Sequence, residues 1–154
     1  MEKTQRFDRK LVFENGREFL GAGFGSPREA LCQCSFDTAM IGYQEILSDP
    51  ACAGEALVMT YPVIGSYGMA DEDYKSRACY AGCLIVRRYN DRPSNFRYTK
   101  TLEEVMAEND IPGIQKRAWP KRWAARRSVT AVRPISATMW RRWTAASARA
   151  ASAA

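Results

Sequence analysis

The hydrophobic positions of the chain fall into short runs typical of β-strands, and one helical pattern lies near residue 100. Apolar residues at alternate positions, or in short runs between turn signals, indicate half-buried or buried strands. The pattern predicts five strands, at 10–13, 17–24, 31–36, 55–61 and 78–88. Asn15-Gly16 suits a tight hairpin between the first two, because both residues tolerate positive φ angles. Leu102, Val105 and Met106 share one face of a helix predicted over 101–108, with Thr99 or Thr101 as a candidate cap.

Residues 35–50 interrupt this pattern, because small, acidic, aromatic and apolar side chains alternate there without a helical or strand period. Asp37 and Thr38 can cap or turn the backbone, and Gly42 admits a positive φ angle. Asp49-Pro50 is a turn signal that ends the stretch. On these local features alone, the stretch is a loop that crosses between two strands. Short strands with few helices predict a β-rich α/β domain.

The charges divide the chain into two parts, 1–115 and 116–154. Residues 116–154 hold ten of the 23 lysines and arginines, none of the 17 acidic residues and all four tryptophans. This basic Ala/Arg/Trp-rich tail is expected to be disordered or loosely helical. It could bind nucleic acid with arginines on phosphates and indoles on bases, lie on an anionic membrane, or have no evolved role.

Several chemistries are excluded or disfavoured by composition. The chain has no histidine, so its own residues cannot build a Ser-His or Cys-His pair or a histidine-containing zinc site. Its five cysteines form no Cys-x-x-Cys pair, and the consecutive acids at 71–73 cannot all converge on one cation. We therefore expect no cofactor and no metal. The charged N-terminus and the lack of any ~20-residue apolar run predict a cytoplasmic protein with no membrane contact.

Three motifs carry a family resemblance. Residues 36–50 read Phe-Asp-Thr-Ala-Met-Ile-Gly-Tyr-Gln-Glu-Ile-Leu-Ser-Asp-Pro, residues 60–68 read Thr-Tyr-Pro-Val-Ile-Gly-Ser-Tyr-Gly, and residues 93–97 read Pro-Ser-Asn-Phe-Arg. In this order and spacing they resemble the small, glutamine-using subunit of carbamoyl-phosphate synthetase, over roughly 10–114. The resemblance implies that 1–115 form that subunit's layered β/β/α N-terminal domain, incomplete and followed by a non-native basic tail.

The resemblance also implies a reaction. In the intact subunit, glutamine is hydrolysed at a Cys-His-Glu site in a C-terminal domain. The ammonia passes to a large subunit, which makes carbamoyl phosphate for pyrimidine and arginine synthesis. None of those catalytic residues is found in this sequence, so we expect no catalytic residue here and no glutaminase activity from this chain alone.

Two roles remain for the family's N-terminal domain. In the family, one contact to glutamine comes from the serine that follows Asp-Pro. The corresponding residue here is Ala51, which has no hydroxyl, so the resemblance does not carry over this substrate contact. The other role is structural support and docking of the large subunit, for which we predict an interface at Tyr43, Gln44 and Glu45. The alternative for Tyr43 is a place in the domain's own core.

The tail departs from the family pattern, which continues after Gly113-Ile114 with a segment resembling Asp-Thr-Arg-Leu-Thr-Arg/Lys-x-Leu. When residues 116–123 are back-translated and the codons are read from the third base of the Lys116 codon, the degenerate bases permit Thr-Arg-Leu-Ala-Lys-Ala-Leu. This sequence fits the family pattern in another reading frame. We therefore interpret the C-terminus as frameshifted, and nucleic acid as an unlikely partner. The competing hypothesis is a small basic nucleic-acid-binding protein that acts through the tail.

Overall fold

A computed structural model describes residues 7–13 and 17–116, and the backbone of 129–134. The elements, in chain order, are β1 (Arg9–Phe13), β2 (Glu18–Gly25), β3 (Ala30–Asp37), α1 (Tyr43–Leu47), β4 (Glu55–Met59), β5 (Cys83–Val86), α2 (Leu102–Glu108), β6 (Pro112–Gln115) and β7 (Val129–Pro134). Two single 3-10 turns lie at Pro50–Cys52 and Asp71–Asp73. No helix among the described residues is long and apolar enough to cross a membrane.

The strands close into a barrel in the order β1-β2-β6-β5-β4-β3-β7. Neighbours from β3 through β4 and β5 to β6 run parallel, and the other neighbours run antiparallel. The expectation of a β-rich α/β domain is confirmed. The Asn15-Gly16 turn lies outside the described residues, although β1 and β2 pair as the predicted hairpin requires.

Alternating side chains along the parallel strands divide the interior into two layers. In β4, Ala56 and Val58 pack inside the barrel, while Leu57 and Met59 pack in a second cluster with both helices. The strand β5 does the same, with Cys83 and Ile85 on one side and its other residues opposite. Strands buried on both faces read as continuous apolar runs, which is the pattern seen here.

One buried charge links three strands. The guanidinium of Arg9 donates to the carbonyl oxygens of Phe24 at 3.0 Å and Gly113 at 2.9 Å, joining β1 to β2 and β6. Burial lowers the pKa of Arg9. A Cβ atom at Gly23 would lie 2.2 Å from the Arg9 side chain, so this glycine serves close packing.

The predicted helix near residue 100 is confirmed as α2. The hydroxyl of Thr101 accepts from the N–H of Glu104 at 3.2 Å, and the Glu104 carboxylate accepts from the N–H of Thr101 at 2.8 Å. These reciprocal bonds form a capping box. Leu102, Val105 and Met106 are buried on one face, as their spacing predicts.

Three elements differ from the sequence-based expectation. The stretch 35–50 contains the short helix α1 rather than a loop throughout, and residues 112–115 form β6, which was not predicted. Residues 129–134 of the tail form a strand between β1 and β3, which was not predicted. Val-Thr-Ala-Val favours a strand, and two otherwise unpaired edges flank it. The rest of the tail after residue 116 lies outside the described residues.

Candidate functional site

The stretch that carries the first family motif folds through a series of local backbone signals. The Asp37 carboxylate accepts from the N–H of Ala39 at 2.7 Å and turns the chain out of β3. Gly42 has a φ of 85° at the start of α1, which a side chain would disfavour. Asp49 then caps the 3-10 turn Pro50–Cys52. The turn residues identified in the sequence therefore act where expected, and they set the orientation of α1.

Tyr43 faces the interior of the domain. Its side chain is 2% exposed, and its hydroxyl donates to the carbonyl oxygen of Gly68 at 2.7 Å. Burial raises the pKa of Tyr43 above the ordinary tyrosine range. In this structure Tyr43 has the core position that was the alternative to a docking role, and any effect on a partner must be indirect.

Gln44 is also buried, and its amide is fully engaged by one residue. The side-chain nitrogen donates to the carbonyl of Ala70, and the side-chain oxygen accepts from the Ala70 N–H at 2.9 Å. Of the three residues predicted at an interface, only Glu45 has an exposed side chain. Gln44 therefore holds segment 66–70 against α1.

Ser48, which the sequence analysis did not single out, completes this attachment. Its hydroxyl donates to the carbonyl of Gln44 at 2.8 Å and accepts from the N–H of Lys75 at 2.9 Å. The residue is fully buried. Ser48 lies in a stretch without helical or strand periodicity, so the sequence pattern does not identify it as a buried structural residue.

The third motif reaches the same segment from the other side. The N–H of Ser94 donates to the carbonyl of Ser66 at 3.0 Å, and the Asn90 amide donates to the Ser66 hydroxyl at 3.0 Å. Gly68 has a φ of 75°, and a Cβ atom there would lie 2.5 Å from that of Tyr98. The three motifs, far apart in sequence, therefore meet at residues 66–70.

A surface pocket of about 330 Å³ lies beside α1. Its walls are Ile41, Gly42, Tyr43, Gln44, Glu45, Tyr67 and Asp73. The Tyr67 hydroxyl donates to the Asp73 carboxylate at 3.0 Å. Ile41, one of these walls, is 65% exposed, its neighbour in sequence Met40 is 58% exposed, and Glu45 is also exposed. Exposed apolar residues grouped in this way are typical of contact surfaces.

Ala51 lies exposed in the 3-10 turn. Its N–H donates to the Asp49 carboxylate at 2.9 Å, so that N–H is already used within the chain. A hydrogen bond to Lys75 holds the pKa of Asp49 below its usual value. Neither a hydroxyl nor the backbone N–H of Ala51 is available to a ligand in this arrangement.

Burial opposes formation of the thiolate at four of the five cysteines. Burial raises the pKa of Cys79 to about 11 and raises that of Cys83 well above the ordinary value. The same cause raises the pKa of Cys32 and Cys52. All five are free thiols, and no group of three potential metal ligands occurs among the described residues.

An exposed aromatic side chain was also missed by the sequence analysis. Phe96 is 95% exposed in the turn that follows Pro93. The Asn95 side chain accepts from the N–H of Arg97 at 3.1 Å, and the Arg97 guanidinium pairs with Glu72. Exposure of a single side chain has no signature in the hydrophobic pattern.

Comparison with known proteins gives one consistent family. Residues 11–118 match the model of the carbamoyl-phosphate synthase small chain, CPSase domain. The small chain of Oceanobacillus iheyensis is 42% identical over 106 residues, which are 69% of this chain and 29% of that protein. The pyrimidine-specific small chain of Bacillus subtilis is 43% identical over 107 residues, 70% of this chain and 29% of its own length. The chain thus spans about 29% of the length of these curated relatives.

Proposed function

Because the chain belongs to the carbamoyl-phosphate synthase small-chain family, we propose that it is a CPSase domain that docks on a carbamoyl-phosphate synthase large subunit in the cytoplasm. The observation that carries the proposal is the meeting of the three family motifs at residues 66–70, where Tyr43 and Gln44 fix α1. These motifs build a rigid surface rather than a set of reactive groups.

The proposed role is structural. The family reaction converts glutamine-derived ammonia to carbamoyl phosphate, and glutamine hydrolysis needs an activated nucleophile. This chain has no histidine, and the pKa values of four of its cysteines are raised. Ala51 replaces the hydroxyl that would contact glutamine. Each of these features supports docking, rather than glutamine chemistry, as this chain's contribution to pyrimidine and arginine synthesis.

We assign the contact to a docking face formed by Met40, Ile41 and Glu45. Met40 and Ile41 offer apolar area, and Glu45 supplies a charge that orients a partner. Tyr43 and Gln44 support the face from beneath through their bonds to Gly68 and Ala70. Of the three residues predicted at the interface, Glu45 remains a contact residue in this proposal. The other contacts come from Met40 and Ile41, which precede α1.

A competition experiment tests the proposal. The purified chain is added to a complete synthetase reconstituted from the small and large subunits of its own organism. Docking displaces the intact small subunit, so glutamine-dependent carbamoyl phosphate synthesis should fall while ammonia-dependent synthesis continues. Unchanged activity with both nitrogen donors, at a large excess of chain, would contradict the proposal. Salt-sensitive binding to single-stranded RNA under those conditions would favour the nucleic-acid hypothesis instead.

A further inference from the structure

The barrel is closed by a strand that lies outside the family match. The match ends at residue 118, and β7 spans Val129–Pro134. It pairs antiparallel with β1 over five residue pairs and with β3 over four. The other six strands form a continuous sheet whose two edges are β1 and β3. We call the gap between these edges the β1–β3 slot.

The connection between β6 and β7 does not determine whether β7 comes from the same molecule or from another one. The preceding strand, β6, lies between β2 and β5, so β7 does not pair with its neighbour in sequence. Residues 116–128 connect the two strands, a length that can extend up to roughly 40 Å. The position of β7 therefore depends on its ladders with β1 and β3. A strand from another molecule can form the same ladders.

The register defines what the slot accepts. Val132 lies opposite Leu11 on one side and Ala30 on the other. Thr130 likewise lies between Phe13 and Cys32. All four flanking side chains are buried in the barrel interior. The slot therefore accepts an extended segment with β-branched or small residues at every second position.

The register also contains one unfavourable pair. Arg133 lies opposite Lys10, and like charges on directly opposed residues destabilise a sheet. Lys10 is already paired with Glu18 at 3.0 Å. The same pair forms whether the strand comes from this chain or from a second copy, so it favours neither arrangement over the other.

We propose that the β1–β3 slot is a strand-acceptor site that binds an extended segment in trans, and that its occupant is the 129–134 strand of a second copy of this chain. Exchange of an identical element is a low-cost route to association, because both copies keep the same ladders. Main-chain hydrogen bonds supply the affinity, and the pattern at alternate positions supplies the specificity. The site does not depend on the large subunit.

Disulfide trapping between full-length chains tests the site. Leu31 lies directly opposite Ala131 and is 74% exposed, so cysteine is tolerated there without loss of core packing. One chain carries Leu31→Cys, a second carries Ala131→Cys, and the two are mixed, exchanged and mildly oxidised. We expect a covalent heterodimer whose yield rises with protein concentration. The matched control replaces Leu31→Cys with Leu31→Ser and should remove that heterodimer.

A chain with both substitutions separates the possible failures. If this double variant forms an internal disulfide but the mixture gives no heterodimer, the strand closes only its own barrel and the proposal is wrong. If neither disulfide forms, the ladder itself is absent and the slot is not a strand site.

Discussion

The side-chain amide of Gln44 forms both hydrogen bonds of a β-bridge with Ala70, donating to its carbonyl and accepting from its N–H. Both residues are buried. One side chain therefore takes the place of a strand in satisfying the backbone just after the second family motif. This relationship explains how an irregular segment is held rigidly beside α1, and it makes Gln44 a structural residue.

We expect Gln44→Met to destabilise the domain by about 1–3 kcal/mol, because methionine preserves the volume but leaves the buried N–H of Ala70 unsatisfied, while the Ala70 carbonyl keeps its hydrogen bond from the N–H of Asp73. Chemical denaturation followed by circular dichroism measures the free energy of unfolding. The neighbouring exposed substitution Glu45→Gln is the matched control and should change it by less than about 0.5 kcal/mol. Equal effects of the two substitutions would argue against the bridge.

Tyr43→Phe removes one buried hydrogen bond, to the carbonyl of Gly68. We expect a loss of about 1–2 kcal/mol in the free energy of unfolding. Association with the large subunit, measured well below the melting temperature, should stay unchanged because the hydroxyl faces the interior. Weakened association with unaltered stability would place Tyr43 at the interface after all.

The elements that sequence predicted best are those whose signal is local. The capping box of α2 joins residues three positions apart, and the turns at Asp37, Gly42 and Asp49 depend on single residue types. The burial of Tyr43 and Gln44 depends instead on Gly68 and Ala70, more than twenty residues away. No period in the sequence specifies such a long-range partner, so an interface and a core position were equally compatible with those residues.

The strand at 129–134 was not predicted, for a different reason. The charge and tryptophan content of the tail dominate any average over 116–154, and these averages obscure the four residues Val-Thr-Ala-Val at 129–132. What makes this segment a strand is the pair of open edges on β1 and β3. Those edges come from strands more than ninety residues earlier in the chain, so the tail's own composition could not indicate them.

Stability at high pH should report on Tyr89. Its ring stacks on Phe24 at 4.6 Å between centroids, and burial raises its pKa to about 12, against roughly 10 in an unfolded chain. The unfolded state therefore loses its proton first, and the stabilisation present below pH 10 is lost progressively as the pH rises to 12. We expect the difference in the free energy of unfolding between the wild type and Tyr89→Phe to decrease from pH 10 to pH 12. Urea unfolding at each pH measures this difference. A constant difference would contradict the raised pKa.

Glutamine hydrolysis provides a separate check on the chemistry. We expect the purified chain to release no ammonia from glutamine above a buffer control, because it has no histidine and burial raises the pKa of four of its five thiols. A coupled glutamate dehydrogenase assay measures the release. Turnover that persists after all five cysteines are replaced by serine would reveal a nucleophile of another kind and overturn this account of the site.

The most direct measurement of the central claim is an isothermal titration of the full chain into the large subunit from the same organism. We predict saturable one-to-one binding that Ile41→Asp weakens at least tenfold, because the substitution places a charge on the apolar part of the docking face. Leu31→Asp, on an equally exposed apolar residue of β3, should leave the dissociation constant unchanged. Absence of binding, or equal weakening by both substitutions, would contradict docking through Met40, Ile41 and Glu45.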